Sequence, residues 1–287
     1  MDNRSNKHKI SFCIKFIAVC VSLNFCMSLT FAEEKLDENR IYNVLKFDEL
    51  LKEIYEEGII SAQEIQKDSN SGEISKVWEK RIRKIYSVDS MKEFFLFELS
   101  KIDLSLESNE AIKFYESVLG QKIVNSELDS RKILRDEKKK IEASKTIRQL
   151  KYFKPARYKL YSDIIISNNF IEENVASAMN SNLAFYLGYA QSKPSESKQF
   201  LKAEMISQIW QNESETRKRM TDWVFNFSAI SFERFSENEL KSYLSFSNSN
   251  EGKLFNSSIN YIFDKLFKSQ SYNLGQALAE VSNELGT

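Results

Sequence analysis

KFYESVLGQKI occupies residues 113–123, and SFSNSNEGKLF occupies residues 245–255, 132 positions further along the chain. Each stretch holds Phe, then Ser three residues on, then Gly three beyond that: Phe114, Ser117, Gly120 and Phe246, Ser249, Gly252. Read physically, the spacing describes a corner between two helices. A helix carrying Ile112 or Leu244 ends near Tyr115 or Ser247. Ser117 or Ser249 then caps the next helix, its side chain accepting from a backbone N–H three residues on. Gly120 and Gly252 fall at the third helical position, where Gly costs up to ~1 kcal/mol against Ala. Close approach of another backbone is the offset expected there. Ile123 with Val124, and Leu254 with Phe255, face the same core as the two Phe. An anion site at the free N–H groups is opposed by the neighbouring Glu116 and Glu251.

Outward from these corners the apolar period is helical almost everywhere. Phe47, Leu50, Leu51, Ile54, Tyr55, Ala62 and Ile65 follow a 3–4 spacing, with Lys52, Glu53, Glu56 and Glu57 between them. DSNSG at 68–72 reads as a turn, and Asp89 or Ser90 as the cap of a helix through Phe94, Phe95 and Leu99. From Val118 one long polar-rich helix is predicted to about Phe153, with the RDEKKK run at 135–140 as its solvated face. Pro155 disfavours helix in the residue before it and divides the chain. Helices at 157–168 and 170–190 break at Asn168-Asn169, KPSES at 193–197 is a loop, and further helices run past Trp210, Trp223 and Phe227. No stretch alternates as a strand flanked by hairpin turns. The expected fold is all-α: a multi-helix bundle in two loosely related halves, 33–154 and 155–287, each with one Phe-x-x-Ser-x-x-Gly corner.

The pattern aromatic-x-x-Ser-x-x-Gly-(Gln/Lys)-x-apolar, on an acidic amphipathic helix, resembles the domain of unknown function 2059 family and its exported α-proteobacterial members. The stretches that carry the likeness are KVWEKRIRKIYSVDSMKEFF (76–95), FYESVLGQKIVNSELDSRK (114–132), NFIEENVASAMNSNLAFYLG (169–188), TDWVFNFSAI (221–230) and ELKSYLSFSNSNEGKLF (239–255). Family members carry Pro directly after the motif Ser; Val118 and Asn250 stand there in this chain, so the turn is less rigid. The resemblance implies an exported helical protein and no reaction.

The N-terminus agrees with export. Arg4, Lys7, Lys9 and Lys15 precede the apolar run FIAVCVSLNFCMSLTFA at 16–32, which ends Thr30-Phe31-Ala32 with small residues at −3 and −1. This predicts a signal peptide over 1–32, cleaved after Ala32, and a periplasmic protein. The alternative is an N-terminal membrane anchor, although 17 residues sit at the short limit of the ~17–25 needed to span. A lipoprotein site at Cys26 is disfavoured by the bulky Phe25 before it. Cleavage removes Cys13, Cys20, Cys26 and His8, every Cys and His in the chain. Disulfides, thiolate nucleophiles, Ser-His-Asp triads and Cys/His-ligated zinc, haem or iron–sulfur centres then fall away. No cofactor or metal is expected. Setting aside the four basic and one acidic residue of 1–32 leaves 37 basic against 40 acidic, a net of −3. A basic nucleic-acid footprint is absent.

Three groups of residues remain as candidates for function. AMNSNLAFYLGYA at 178–190 sets amides into an apolar helix, and Asn182 and Tyr186, with Trp210 and Trp223 as further walls, could form a ligand or lipid cleft. The competing reading is a hydrogen-bonded interface between helices. Segment 145–159 carries Lys145, Arg148, Lys151, Lys154, Arg157 and Lys159 beside Tyr152, Phe153 and Tyr158, with no acidic residue across 143–162. That suits an anionic membrane surface or envelope polymer. Carboxylates at Glu172, Glu173, Asp222 and Glu233 leave a hydrolase as a third reading, which needs two of them ~5–9.5 Å apart around a substrate. Glu127 and Arg131, four apart on one helix, are read as a stabilising pair. The sequence predicts no catalytic residue. It points to a non-enzymatic binding or scaffold module of the cell envelope, with an envelope protein or an anionic membrane as partner.

Overall fold

The computed structural model describes residues 38–69, 75–102, 106–191 and 195–285, and every regular element among them is α-helical. The expected signal peptide, most of the DSNSG turn and the start of the KPSES loop lie outside the described residues. In chain order the helices are α1 (Glu38–Val44), α2 (Phe47–Ser69), α3 (Lys76–Ile85), α4 (Val88–Leu99), α5 (Leu106–Glu116) and α6 (Val118–Ile133). Then come α7 (Glu137–Phe153), α8 (Pro155–Ser167), α9 (Phe170–Gln191), α10 (Ser195–Gln211), α11 (Glu213–Ser231), α12 (Glu237–Ser247) and α13 (Asn250–Leu285).

Both serine caps form as the residue pattern dictates, but Leu254, expected to face the core, is exposed, and Phe255 alone turns inward there. The Ser117 side chain accepts from Gly120 N–H at 3.1 Å, and the Ser249 side chain accepts from Gly252 N–H at 3.1 Å. Ser117 N–H donates to the Phe114 carbonyl and Ser249 N–H to the Phe246 carbonyl, so both turns close by the same bond. The Phe114 and Phe246 rings stack on each other, 4.9 Å apart and 12° from parallel. A Cβ on Gly120 would lie 2.1 Å from the Phe114 carbonyl oxygen. The backbone that approaches is therefore the last turn of α5 itself, folded back against the start of α6.

The principal core draws on both sides of residue 155. Ile41, Phe47, Phe95, Tyr115, Ile123 and Val124 pack in one buried cluster with Tyr161, Phe232, Tyr243, Phe255 and Phe263. A second cluster joins Ala62, Trp78 and Ile82 to Phe185, Leu274, Leu278 and Val281. There Trp78 Nε1 donates to the Ala62 carbonyl at 3.0 Å, which satisfies its one polar atom.

The 36-residue α13 runs through both clusters, a rod of about 54 Å at 1.5 Å per residue. Helix α9 lies alongside it in the same direction. Asn180 Nδ2 donates to Asp264 Oδ1 at 3.0 Å across a sequence separation of 84, and Gly188 faces Tyr272 at the same offset. Here the two backbones touch. A Cβ on Gly188 would sit 2.0 Å from the Tyr272 carbonyl oxygen, and one on Gly275 would sit 2.0 Å from that of Phe185. The entrance to α9 is fixed by Asn168 and Asn169. Asn169 takes a left-handed φ of 54°, a conformation Asn tolerates. Asn168 donates to the Ile164 carbonyl and to Ser247 Oγ, and its Oδ1 accepts from Asn256 at 2.8 Å. One buried amide thus ties α8, α12 and α13 together.

Three sequence expectations are corrected. The single helix of 118–153 is two helices, because Leu134 turns into a buried site and Asp136 caps α7, accepting from Lys138 N–H at 2.7 Å. The RDEKKK run is therefore a turn and a helix start rather than the face of a continuous helix. The cap of α4 is Ser87, not Asp89 or Ser90. Helix α8 begins at Pro155, whose missing N–H is tolerated at a first helical position.

Overpacking is expected to hurt more than losing a cap. Gly188→Ala should lower stability by about 1–3 kcal/mol or more, and Ser117→Ala by about 1 kcal/mol. Urea unfolding followed by circular dichroism measures both; equal losses would mean that α9 and α13 part freely.

Candidate functional site

Helix α7 presents two different faces. Ala143, Ser144, Ile147 and Leu150 turn inward, with Ala143 and Ile147 packing near Phe227 and Trp223 of α11 and the Ser144 hydroxyl 3.0 Å from Asn226 Oδ1. Ile141, Lys145, Arg148 and Tyr152 form the outer stripe, all exposed. At the junction with α8, Lys154 serves as C-cap of one helix and N-cap of the next, so the chain turns sharply. That turn leaves Tyr152 85% and Phe153 76% exposed, side by side with ring centroids 5.7 Å apart. Two large aromatic side chains are thus held in water at a protruding corner, against the ordinary tendency to bury them.

The cations around this corner divide into those held by carbonyls or carboxylates and those without an ion pair among the described residues, of which Lys151 lies over the Tyr158 ring at 5.7 Å. Arg157 is committed: one guanidinium nitrogen donates to the carbonyls of Phe232 and Phe235 at 2.8 Å and of Glu233 at 3.2 Å. It closes the C-terminal end of α11, and its expected part in a polyanion contact is corrected accordingly. Lys159 is held by Asp163 on its own helix at 2.6 Å. Upstream, Lys139 pairs with Glu142, and Lys140 pairs with Glu137. Lys145, Arg148, Lys151 and Lys154 make no ion pair among the described residues. Glu233 and Glu237 line a groove with Lys154 on the α11–α12 side.

The four residues expected to wall a ligand cleft are not brought together. Trp210, 67% exposed, stands on α10 over a groove floored by Val175, Met179 and Leu183 of α9. Tyr186 packs beside Phe185 at the second core cluster, and Trp223 stacks on Phe227 at 5.0 Å. The Asn182 Oδ1 and Ser181 Oγ atoms are buried without hydrogen-bond partners, whereas Asn180 reaches α13. The interface reading thus holds for Asn180 alone of the three. Three of the four candidate carboxylates have partners of their own. Glu172 pairs with Arg217, Asp222 pairs with Lys218, Glu173 accepts from Asn169, and Glu233 lies at the α11–α12 turn.

A buried ionisable set lies between α2, α6 and α12. Arg131 reaches across to Glu57, 3.0 Å away, rather than serving only as an intrahelical partner of Glu127, and Arg135 pairs with Glu53 at 2.9 Å. Burial pushes the Glu57 carboxyl up, against the pull of Arg131 and Arg135. Glu127 accepts from the Tyr243 hydroxyl at 3.4 Å, and burial holds its carboxyl well above the ordinary carboxylate range despite that bond and the nearby Arg131. Tyr115 is pushed well above its ordinary value by burial and then by Glu127. The set is enclosed by core side chains, which suits a structural role.

Among the described residues no helix is long and apolar enough to cross a membrane. Comparison with protein-family models, with curated proteins and with solved structures finds no match to this chain.

The state of Glu127 gives a pH dependence of known sign. A carboxyl raised in the fold contributes stability that is fully present below its unfolded value of 4.5 and is lost as pH rises through the folded value. Glu127→Gln removes this loss while keeping an acceptor for Tyr243. Its urea midpoint is expected to gain on the parent protein as pH rises above 4.5; a constant difference would show that Glu127 titrates alike in both states.

Proposed function

We propose that this chain is an exported, non-enzymatic module of the cell envelope that docks on an anionic membrane surface through the α7–α8 corner. One observation carries the reading: Tyr152 and Phe153 stand exposed together, among Lys145, Arg148, Lys151 and Lys154, none of which has an ion-pair partner among the described residues. Aromatic rings favour the level of the lipid headgroups, and basic residues at an anionic surface contribute about 1 kcal/mol each. The corner supplies both, on a rigid turn whose far side is anchored to α11 by Arg157. Export to the periplasm is supported by the basic, apolar and small-residue order of 1–32 and by the resemblance to the exported helical family. The like bonding of the Ser117 and Ser249 corners supports the reading of one such corner in each half of the chain. A second reading, a small apolar ligand in the groove beside Trp210, draws on the exposure of that indole.

Flotation with vesicles tests the proposal, using the chain from Glu33 onward so that residues 16–32 contribute no binding of their own. Vesicles containing phosphatidylglycerol should bind the protein, neutral phosphatidylcholine vesicles should not, and added salt should release it. Replacing both Lys151 and Lys154 by Gln should weaken binding roughly 30-fold, and Tyr152→Ser with Phe153→Ser should weaken it further. Equal binding to neutral vesicles, insensitivity to salt, or binding to a soluble polyanion alone would overturn the membrane assignment.

A further inference from the structure

Between α9 and α13, on the N-terminal side of the glycine contact, the two helices leave a small cleft of about 290 Å³. Its lining has a particular chemistry. Asn180, Asp264, Asn260 and Ser177 bring amide, carboxylate and hydroxyl groups to the rim, while Tyr261 and Phe267 supply ring surface. Neither Lys nor Arg lines it, and Glu173 adds a second carboxylate. Of the lysines that follow on α13, Lys265 is engaged by Glu98 at 2.7 Å, and Lys268 pairs with the rim carboxylate of Asp264 at 3.6 Å. Asn180 and Asp264 hold each other at 3.0 Å, which fixes two rim groups in place before any ligand arrives. The Asn260 amide makes no hydrogen bond among the described residues. Tyr261 is 55% exposed, its ring held beneath the Lys265 ammonium at 4.7 Å.

We propose that this cleft is a binding site for a neutral saccharide, taking one pyranose ring. Size and chemistry each narrow the choice. The volume is at the lower end of the ~300–1,000 Å³ typical of ligand sites, so one ring fits and an extended ligand does not. Lys268 offsets the Asp264 carboxylate only in part, and Glu173 adds a second negative charge to a lining without Lys or Arg, which disfavours an anion. A purely apolar ligand would strip water from the Asn260 amide, which has no hydrogen bond of its own among the described residues, and from the remaining acceptor sites of Asp264. A sugar ring meets both demands, with hydroxyl groups that donate to carboxylate and amide oxygens and a C–H face that lies on an aromatic ring. The site shares no residue with the α7–α8 corner, so the two assignments stand or fall separately.

Saturation-transfer NMR on the purified protein tests the assignment, with glucose and N-acetylglucosamine as neutral probes. Glucuronate serves as the anionic probe, glucosamine as the cationic one and glycerol as the small-polyol control. Transfer to the neutral sugars is expected, with little to glucuronate. Tyr261→Ala, at an exposed helical position, should weaken binding by about tenfold. Asn260→Ala should weaken it as well, should the first variant lose its helical circular dichroism. Tyr152→Ser should leave sugar binding unchanged. Transfer to neutral sugars no stronger than to glycerol would overturn the proposal. So would a preference for glucuronate, binding confined to glucosamine and abolished by salt, or full binding by both cleft variants.

Discussion

The Phe114–Phe246 stack is the contact on which the arrangement of the bundle rests. Each ring stands three residues before a serine that caps the next helix start. Stacking the rings therefore fixes where α6 and α13 begin relative to each other. From those origins α6 carries Ile123, Val124 and Glu127 inward, and α13 carries Phe255, Ile259 and Phe263 into the same core. The corner serine defines the direction of each helix, and at the first corner Gly120 permits the fold-back. The phenylalanine turns two local devices into one tertiary constraint.

Much of this was legible in the residues, because helices announce themselves locally. The 3–4 spacing in α2, the breaks at Asn168-Asn169 and Pro155, and the caps at Ser117 and Ser249 all follow from side chains within a few positions of the feature they control. Where local signals competed, the reading failed. The apolar stripe through 119–150 continues across residue 136, so periodicity alone joined α6 to α7, although Asp136 before a helical run was a cap signal in plain view. Ser87 was passed over for Asp89 because both can cap and only the backbone decides between them.

The candidate sites were less legible, for a reason that is geometric. Asn182, Tyr186, Trp210 and Trp223 have the chemistry of a ligand cleft, but one-dimensional proximity does not state which face of a helix meets which neighbour. Trp223 found Phe227 on its own helix, and Tyr186 found the Trp78 cluster from the other half of the chain. The α7–α8 corner was visible as an excess of basic residues around aromatics. That Arg157 is withdrawn to close the end of α11 was not, since it depends on carbonyls 75 to 78 residues away. The α9–α13 cleft had no sequence signature at all, because it exists only where two segments 84 residues apart run side by side.

The parallel course of α9 and α13 also bears on how the chain reaches this state. Two neighbouring helices pointing the same way cannot be joined by a short loop, and here α10, α11 and α12 fill the return path. The individual helices form from contacts within a few residues, on the fast timescale of local structure. Gly188 can meet the Tyr272 carbonyl only after the intervening segments have been laid down in order, at the loop-closure cost of a long excursion. This close backbone contact is thus expected to be among the last made. Interactions that form late act on the rate at which the native state opens rather than the rate at which it is found. Glycines 188 and 275 then govern the lifetime of the folded protein more than the speed of its assembly.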